Sequence, residues 1–429
     1  MIFNEYKNTF LNETLYKGVH ESGLTVVVLP KPGFDKYYSV ISTNYGSNDV
    51  CFKNDENKDF IEVPDGIAHF LEHKMFEQPD GTNAFDKFSI YGANANAYTA
   101  FNNTAYLYQC TDYFYENLDH LLNYDFSPYF TKENVEKEQG IIGQEIRMYD
   151  DDPEWCVFFN MLKAMYVNHP IRRDIAGTVE SIAKIDAELL YYCYNIFYHP
   201  ENMVLFMTGN IDIDKTTEIL DKNVKIREKH FNAIKKEIEE PKRINQEEIV
   251  KKLPVSIPMF SMGYKDVSES LSGKELERKN LITNIILKLF AGESSPLYKK
   301  MYDEGLINDS FYDDMTFNKD YSFIQFAGES KNPYKVKELI LKEAEKIKKE
   351  GLDEQAFYRM KKNMYGKYIK AFNKIESIGN AFCHDFFMGV DLFDFLKVYD
   401  TISYNDANER FKELFDENMF VTSIVVNND

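Results

Sequence analysis

Apolar positions along the chain recur with two periods. Spacings of three and four mark amphipathic helices in "DYFYENLDHLLNYDFSPYF" (112–130), "TKENVEKEQGIIGQEI" (131–146), "NPYKVKELILKEAEKIKKEG" (332–351) and "LDEQAFYRMKKNMYGKYI" (352–369). Alternation over shorter, Tyr- and Phe-rich runs marks strands in "TAYLYQC" (104–110) and "DYSFIQFAGES" (320–330). Both sets follow one order: strand, long helix, short loop, second helix. Each ends in a β-rich strand behind an Asn-Met start, "ENMVLFMTGNID" (201–212) and "ENMFVTSIVVNND" (417–429), at an offset of 216 residues, close to half the chain. An internal echo at that distance predicts two structurally related α+β halves.

Between the halves, residues 224–253, "VKIREKHFNAIKKEIEEPKRINQEEIVKKL", are dominated by charge and lack a strong apolar face. They read as a solvated linker. The expected organisation is therefore an amino-terminal domain over 1–225, a charged linker over 226–252, and a related carboxy-terminal domain over 253–429. A length of 429 residues also exceeds what one core usually serves.

Composition narrows the partners. With 44% hydrophobic residues, 34 Phe and 30 Tyr the chain can bury ample core. A formal net charge of −20 argues against general affinity for nucleic acid or an anionic membrane, because both demand a positive field. The first twenty residues mix acids, amides and lysines with no apolar signal-like run, and no stretch of about 18 uncharged apolar residues follows, so no membrane span is expected. Five scattered cysteines without a C-x-x-C pair read as reduced thiols of a cytoplasmic protein.

Candidate chemistry lies in "PDGIAHFLEHKMFE" (64–77). Asp65 is a plausible cap, and the apolar residues after it predict a helix. On that helix His69 and His73 share one face a turn apart, with Glu72 beside them. Two neutral imidazoles aimed at one point suit Zn²⁺, and the adjacent carboxylate suits a general base that takes a proton from water. The order H-x-x-E-H is that of the inverzincins. A third ligand is expected from "ENVEKEQGIIGQEI", where Glu138 and Glu145 are seven apart and so share a helix face. One of the two can ligate while the other holds a ligand in place. His169, His199 and His384 have no acidic partner at ligand spacing and are assigned structural or surface roles. No G-x-S-x-G and no phosphate-cradling glycine loop occurs.

Together "GIAHFLEHKMFE" and "EKEQGIIGQEI" resemble the pitrilysin or insulinase family of zinc peptidases, which includes insulin-degrading enzyme and the mitochondrial processing peptidase, and in particular its bacterial YmfH-like branch. The resemblance covers nearly the whole chain. It implies two α/β-sandwich halves of the insulinase/processing-peptidase type (a LuxS/MPP-like metallohydrolase fold), with Zn²⁺ held by His69, His73 and Glu145, Glu72 as base and Glu138 as supporting carboxylate. The spacing from His73 to Glu145 is a few residues shorter than is typical of the family, which a trimmed loop accounts for. The resemblance also places the substrate backbone along Asn96, Ala97 and Tyr98, where an unpaired strand edge would accept a peptide.

The second half has no histidine in its counterpart helix region, "NLITNIILKLFAGESSPLYKKMYDEGLINDSFYDDM". Where the family often carries an Arg and a Tyr that grip substrate carbonyls, this chain has Tyr302 and Asn308. The resemblance then implies a partner that brings the missing pair: a heterodimer with a related, zinc-less chain first, a homodimer second. The expected function is a zinc metalloendopeptidase acting on peptides or unfolded small polypeptides inside a clamshell chamber. The alternative is a non-catalytic peptide-binding or scaffold subunit, for which a base beside the metal would have no use.

Overall fold

The computed structural model describes residues 1–54, 59–227, 233–266 and 271–428. Its chain forms two compact units, and neither is one continuous stretch. Met1–Ile146, Asp174–Glu237 and Lys370–Phe387 make the first; Arg147–Arg173, Ile238–Ile369 and Met388–Asp429 make the second.

Among the described residues the first unit carries a seven-stranded sheet in the order Phe3–Asn8, Glu13–Val19, Thr25–Pro30, Met203–Gly209, Tyr37–Thr43, Thr104–Cys110 and Asn94–Thr99. Every pairing is antiparallel except that of Thr25–Pro30 with Met203–Gly209. The central strands, "TVVVLP" and "MVLFMTG", are rich in Val, Leu and Phe and almost wholly buried, as strands covered on both faces must be.

The second unit repeats the frame with five strands, Glu248–Lys252, Phe420–Val426, Met259–Asp266, Ser322–Glu329 and Tyr312–Phe317. Here too one pairing, Glu248–Lys252 with Phe420–Val426, is parallel and the rest are antiparallel. The echoed segments at 201–212 and 417–429 thus occupy the same place in their sheets, each second to a parallel neighbour. A core built on Phe260, Met262, Ile285, Phe290, Phe326 and Phe411 fills this unit.

Two features depart from the simple reading by chain order. The helix Pro153–Met165 packs on the strands of the second unit, and the helix Ile375–Met388 lies almost entirely within the first unit. There Gly379 sits so close to the ring of Tyr38 that an added Cβ would come within 2.5 Å of it, and Phe382 stacks on Phe206 at 4.8 Å. Each sheet is therefore covered in part by a helix from the other half of the chain, so borders at 225 and 253 do not coincide with the compact units. The expected linker is not a plain tether either: Ile234–Lys235 pairs with Cys51–Lys53, and Glu248–Lys252 becomes a sheet strand. Residues 228–232 of that segment lie outside the described residues. No helix among the described residues is long and apolar enough to cross a membrane.

Candidate metal centre

The helix Ile67–Met75 forms where the sequence predicts it, but Asp65 is not its cap. Gly66 holds that position in the left-handed region at φ 89°, with no side-chain cap. An added Cβ would come within 2.3 Å of the Ala176 carbonyl oxygen, and Gly177 meets the Asp65 carbonyl just as closely. Only glycine fits such a backbone-to-backbone approach. Ser181 Oγ donates to the Asp65 carbonyl oxygen at 2.7 Å, fastening the helix start to the following segment. The helix then buries Ile67, Ala68, Phe70, Leu71 and Met75, and with them two charged side chains, Glu72 and Lys74.

His69 and His73 lie one turn apart with ring centroids separated by 4.5 Å. The helix Lys132–Asp151 brings its carboxylates to them. His69 Nε2 is 3.7 Å from Glu145 Oε1, and His73 Nε2 is 3.6 Å from Glu145 Oε2. Ligand atoms of these three residues all lie within 4.8 Å of one another, the sole such His/Cys/Asp/Glu group among the described residues. Tetrahedral ligands at zinc bond lengths near 2.0–2.1 Å stand roughly 3.4 Å apart, so the donor set fits a zinc-sized ion. Glu138 takes the other part: its Oε1 accepts from His73 Nδ1 at 3.1 Å, leaving Nε2 to face Glu145.

Electrostatics agree with a cation site. Burial, then the neighbouring His73, pulls His69 down to about 3, so this imidazole is neutral as a ligand must be. Burial would lower His73 as well, but the Glu138 hydrogen bond and the charges of Glu72, Glu145 and Glu138 outweigh it and hold its pKa above the ordinary imidazole value. A divalent cation would neutralise that excess of carboxylates. Glu72 is itself raised by burial, against the opposing hydrogen bond that Thr99 Oγ1 donates to Glu72 Oε2 at 2.8 Å. A carboxylate with an elevated pKa next to a metal position is suited to trading protons.

Glu72, His73 and Glu138 border a cavity of about 440 Å³ that Asn96 and Ala97 also line. Asn94–Thr99 ends its sheet: it pairs with Thr104–Cys110 on one side, and no strand among the described residues pairs with the other. The Ala97 N–H is met by the Asn96 side-chain oxygen at 2.9 Å. Tyr98 is placed differently. Side chains alternate along a strand, so it points to the face opposite Thr99, where Tyr38 and Cys383 adjoin it and burial raises its pKa to about 12.

The remaining candidates have local duties. Asn308 Oδ1 accepts from the backbone N–H and hydroxyl of Ser310 and its amide donates to Glu329, organising the turn before Tyr312–Phe317. Tyr302 is half-exposed on the helix Pro296–Asp303. His169 and His199 each cap a single 3-10 turn through Nδ1, and His384 adjoins Asp385. The sequence pattern assigned no role to the side chains of Thr99 and Lys74, which contact Glu72 and Glu138 respectively. A charged residue in the apolar stripe of the helix was the one available signal for Lys74.

Comparisons with known proteins converge on one family. Residues 60–179 match the family model described as insulinase (peptidase family M16), and residues 184–364 match that of the peptidase M16 inactive domain. An uncharacterized zinc protease of Bacillus subtilis, YmfH, is 40% identical over 409 residues, covering 94% of each chain. A second from that species, YmxG, is 25% identical over 331 residues, 74% of this chain and 77% of that one. The crystal structure of an M16-like peptidase from Alicyclobacillus acidocaldarius superposes with a TM-score of 0.92 at 32% identity, covering 100% of this chain and 99% of the other. With the H-x-x-E-H helix and the repeated sheet frame, this places the chain in the insulinase family of peptidases, family M16.

Proposed function

We propose that this chain is a zinc-dependent metalloendopeptidase of peptides and unfolded small polypeptides. The observation that carries the reading is the convergence of His69, His73 and Glu145 beside a buried Glu72, with Glu138 holding the second imidazole. The names of the relatives, zinc proteases, point the same way. When bound, zinc supplies Lewis acidity toward the scissile carbonyl and acidifies water.

The protein's own residues do the rest. Glu72 accepts the proton of the attacking water and delivers it to the departing amine, a cycle for which its raised pKa fits it. Thr99 restrains that carboxylate through one oxygen and leaves the other for proton transfer. The free edge of Asn94–Thr99 pairs with an extended substrate backbone, drawing on Asn96, Ala97 and Tyr98 through their main chain. Recognition of this kind reads sequence loosely, so the substrate class is set by extended conformation. A related zinc-less chain would contribute the Arg and Tyr absent at Tyr302 and Asn308; a second copy is the next choice. Five cysteines free of disulfides suit a cytoplasmic setting.

A scaffold role is disfavoured because Glu72 stays in place beside the ligands. The test compares wild type with Glu72→Gln on a mixed peptide library. Cleavage should fall by about 10²–10⁴-fold while zinc content is unchanged. Undiminished cleavage by the variant, or a wild type that cleaves nothing with or without its partner chain, rejects the peptidase assignment.

A further inference from the structure

Lys74 is the anomaly of the zinc-facing helix. Its side chain is fully buried, at 0% exposure, in a segment otherwise lined by Phe70, Leu71 and Met75. An ammonium taken out of water costs several kcal/mol unless carboxylates compensate it. Two do. Lys74 Nζ pairs with Glu77 three residues on, and its other neighbour is Glu138 Oε2 at 3.9 Å. The remaining oxygen of Glu138 is the one that accepts from His73 Nδ1 at 3.1 Å. One carboxylate is therefore shared between an imidazole and a buried ammonium on the same helix.

We propose that Lys74 is a positioning residue for the metal: acting through Glu138, it sets the ring of His73 so that Nε2 faces the ion. The inference deepens the zinc reading above and rests on it. The chemistry is simple. A carboxylate that accepts from one partner alone can swing about its own bonds; a buried ammonium 3.9 Å from its other oxygen favours one orientation over the rest by charge. The ring it grips then keeps one tautomer and one direction, which is what a ligand needs before the ion arrives. Placing the cation on the ligand helix itself makes His73, Lys74 and Glu138 a closed triangle, independent of the sheet.

The experiment measures zinc affinity by competition with a chromophoric chelator, on the full chain, for wild type, Lys74→Met, Glu138→Gln and the double variant. Lys74→Met should weaken zinc about 10–100-fold, the range seen when groups that orient ligands are removed. In the Glu138→Gln background the same change should cost less than about threefold, because the two act in series. Lys74→Arg, which keeps a cation against Glu138, should stay within about threefold of wild type. Wild-type affinity in Lys74→Met overturns the proposal, and so do losses that multiply in full in the double variant, the sign of a merely structural lysine. If Lys74→Met does not fold, Lys74→Gln takes its place under the same criteria; if neither folds, Lys74→Arg decides, with a loss above tenfold as the overturning result. A wild type that binds no zinc would instead sink the metal reading itself, so the two failures are distinguishable.

Discussion

The two units carry the same five-strand frame and a cavity in the same topological place, yet among the described residues only the first brings together side chains that could hold a metal ion. In the first, the helix Ile67–Met75, the edge strand Asn94–Thr99 and the helix Lys132–Asp151 surround about 440 Å³. In the second, Gly273–Ala291, the edge strand Tyr312–Phe317 and Glu354–Ala371 surround about 670 Å³. The larger cavity is lined by the cations Lys288, Arg359 and Lys367 together with Asp313 and Glu293, Lys288 pairing with Asp313 at 2.6 Å, and its lining holds no histidine. Two carboxylates among three cations, with no imidazole, offer a metal ion no ligand set there, whereas three carboxylates and two imidazoles offer one in the first unit. The fold supplies concavity twice; chemistry comes from about five residues on two helices. The match of residues 184–364 to a domain described as inactive accords with that division.

The sharpest way to break the comparison is to remove ligands from one side and charges from the other. Spread over three protein ligands, a zinc binding free energy of ~10–16 kcal/mol leaves roughly 3–5 kcal/mol for each. Glu145→Gln should therefore weaken zinc by about 10²–10⁴-fold, as read by chelator competition, and Glu138→Gln by only about 10–100-fold. Lys288→Gln should leave zinc content as in wild type. Equal retention in Glu145→Gln and Glu138→Gln would reassign the third ligand, and zinc lost from Lys288→Gln would end the contrast between the cavities.

How far the sequence carries this picture depends on whether a contact lies within one element or between two. His69, Glu72 and His73 share a helix, so their spacing alone sets them on one face, and the H-x-x-E-H order was readable at once. Glu138 and Glu145 also share a face, but only the resemblance ranked them, since a seven-residue spacing satisfies both roles; the structure puts Glu145 between the two Nε2 atoms and Glu138 at Nδ1. The Thr99 hydroxyl meets Glu72 across a strand-to-helix gap of 27 positions that no periodicity encodes. Unit borders failed for a related reason. An apolar helix face tells that Pro153–Met165 is covered, not which sheet it covers.

Buried aspartates offer a second contrast. Asp266 in the second unit is held by Arg410 and by Lys279 at 3.0 Å, and although burial alone would raise it, these cations keep its carboxyl below the usual range. Asp125 in the first unit has no hydrogen-bond partner for either side-chain oxygen among the described residues, and burial pushes it up to about 8 despite the charge of Arg227. Removing a partner from a buried ion pair costs ~3–5 kcal/mol, so Asp266→Asn should lose about that much in urea unfolding near neutral pH. The loss should shrink only below pH ~4, as the wild-type carboxyl protonates. Asp125 runs the other way. Its folded state keeps a proton that the unfolded state releases near pH ~4, so its contribution falls as pH rises from there to about 8, by up to ~1.4 kcal/mol per pH unit. Asp125→Asn should therefore gain on wild type as pH rises through that window. A flat difference would show that Asp125 is ionised and paired in the fold.

Thr99 is the smallest lever and the most local. Its hydroxyl donates to Glu72 at 2.8 Å; the nearby Thr104 hydroxyl, 3.3 Å away, gives its own proton to the Tyr45 carbonyl at 2.9 Å, so Glu72 is the shorter of the two acceptors open to the Thr99 proton. Because that bond favours the ionised carboxylate, Thr99→Val should raise the Glu72 pKa further above its already elevated value. A base must be ionised to act, so the acid limb of kcat/KM against pH should move upward. A hydrogen bond to a charged group is worth ~1.5–3 kcal/mol, and 1.36 kcal/mol is one pH unit, so the displacement is about one to two units. Zinc content should not change, since Thr99 touches none of the three ligands. An acid limb that stays put while kcat falls would mean that Thr99 orients the carboxylate without tuning its proton affinity; a limb moving downward would exclude the hydrogen bond as a stabiliser of the charged form.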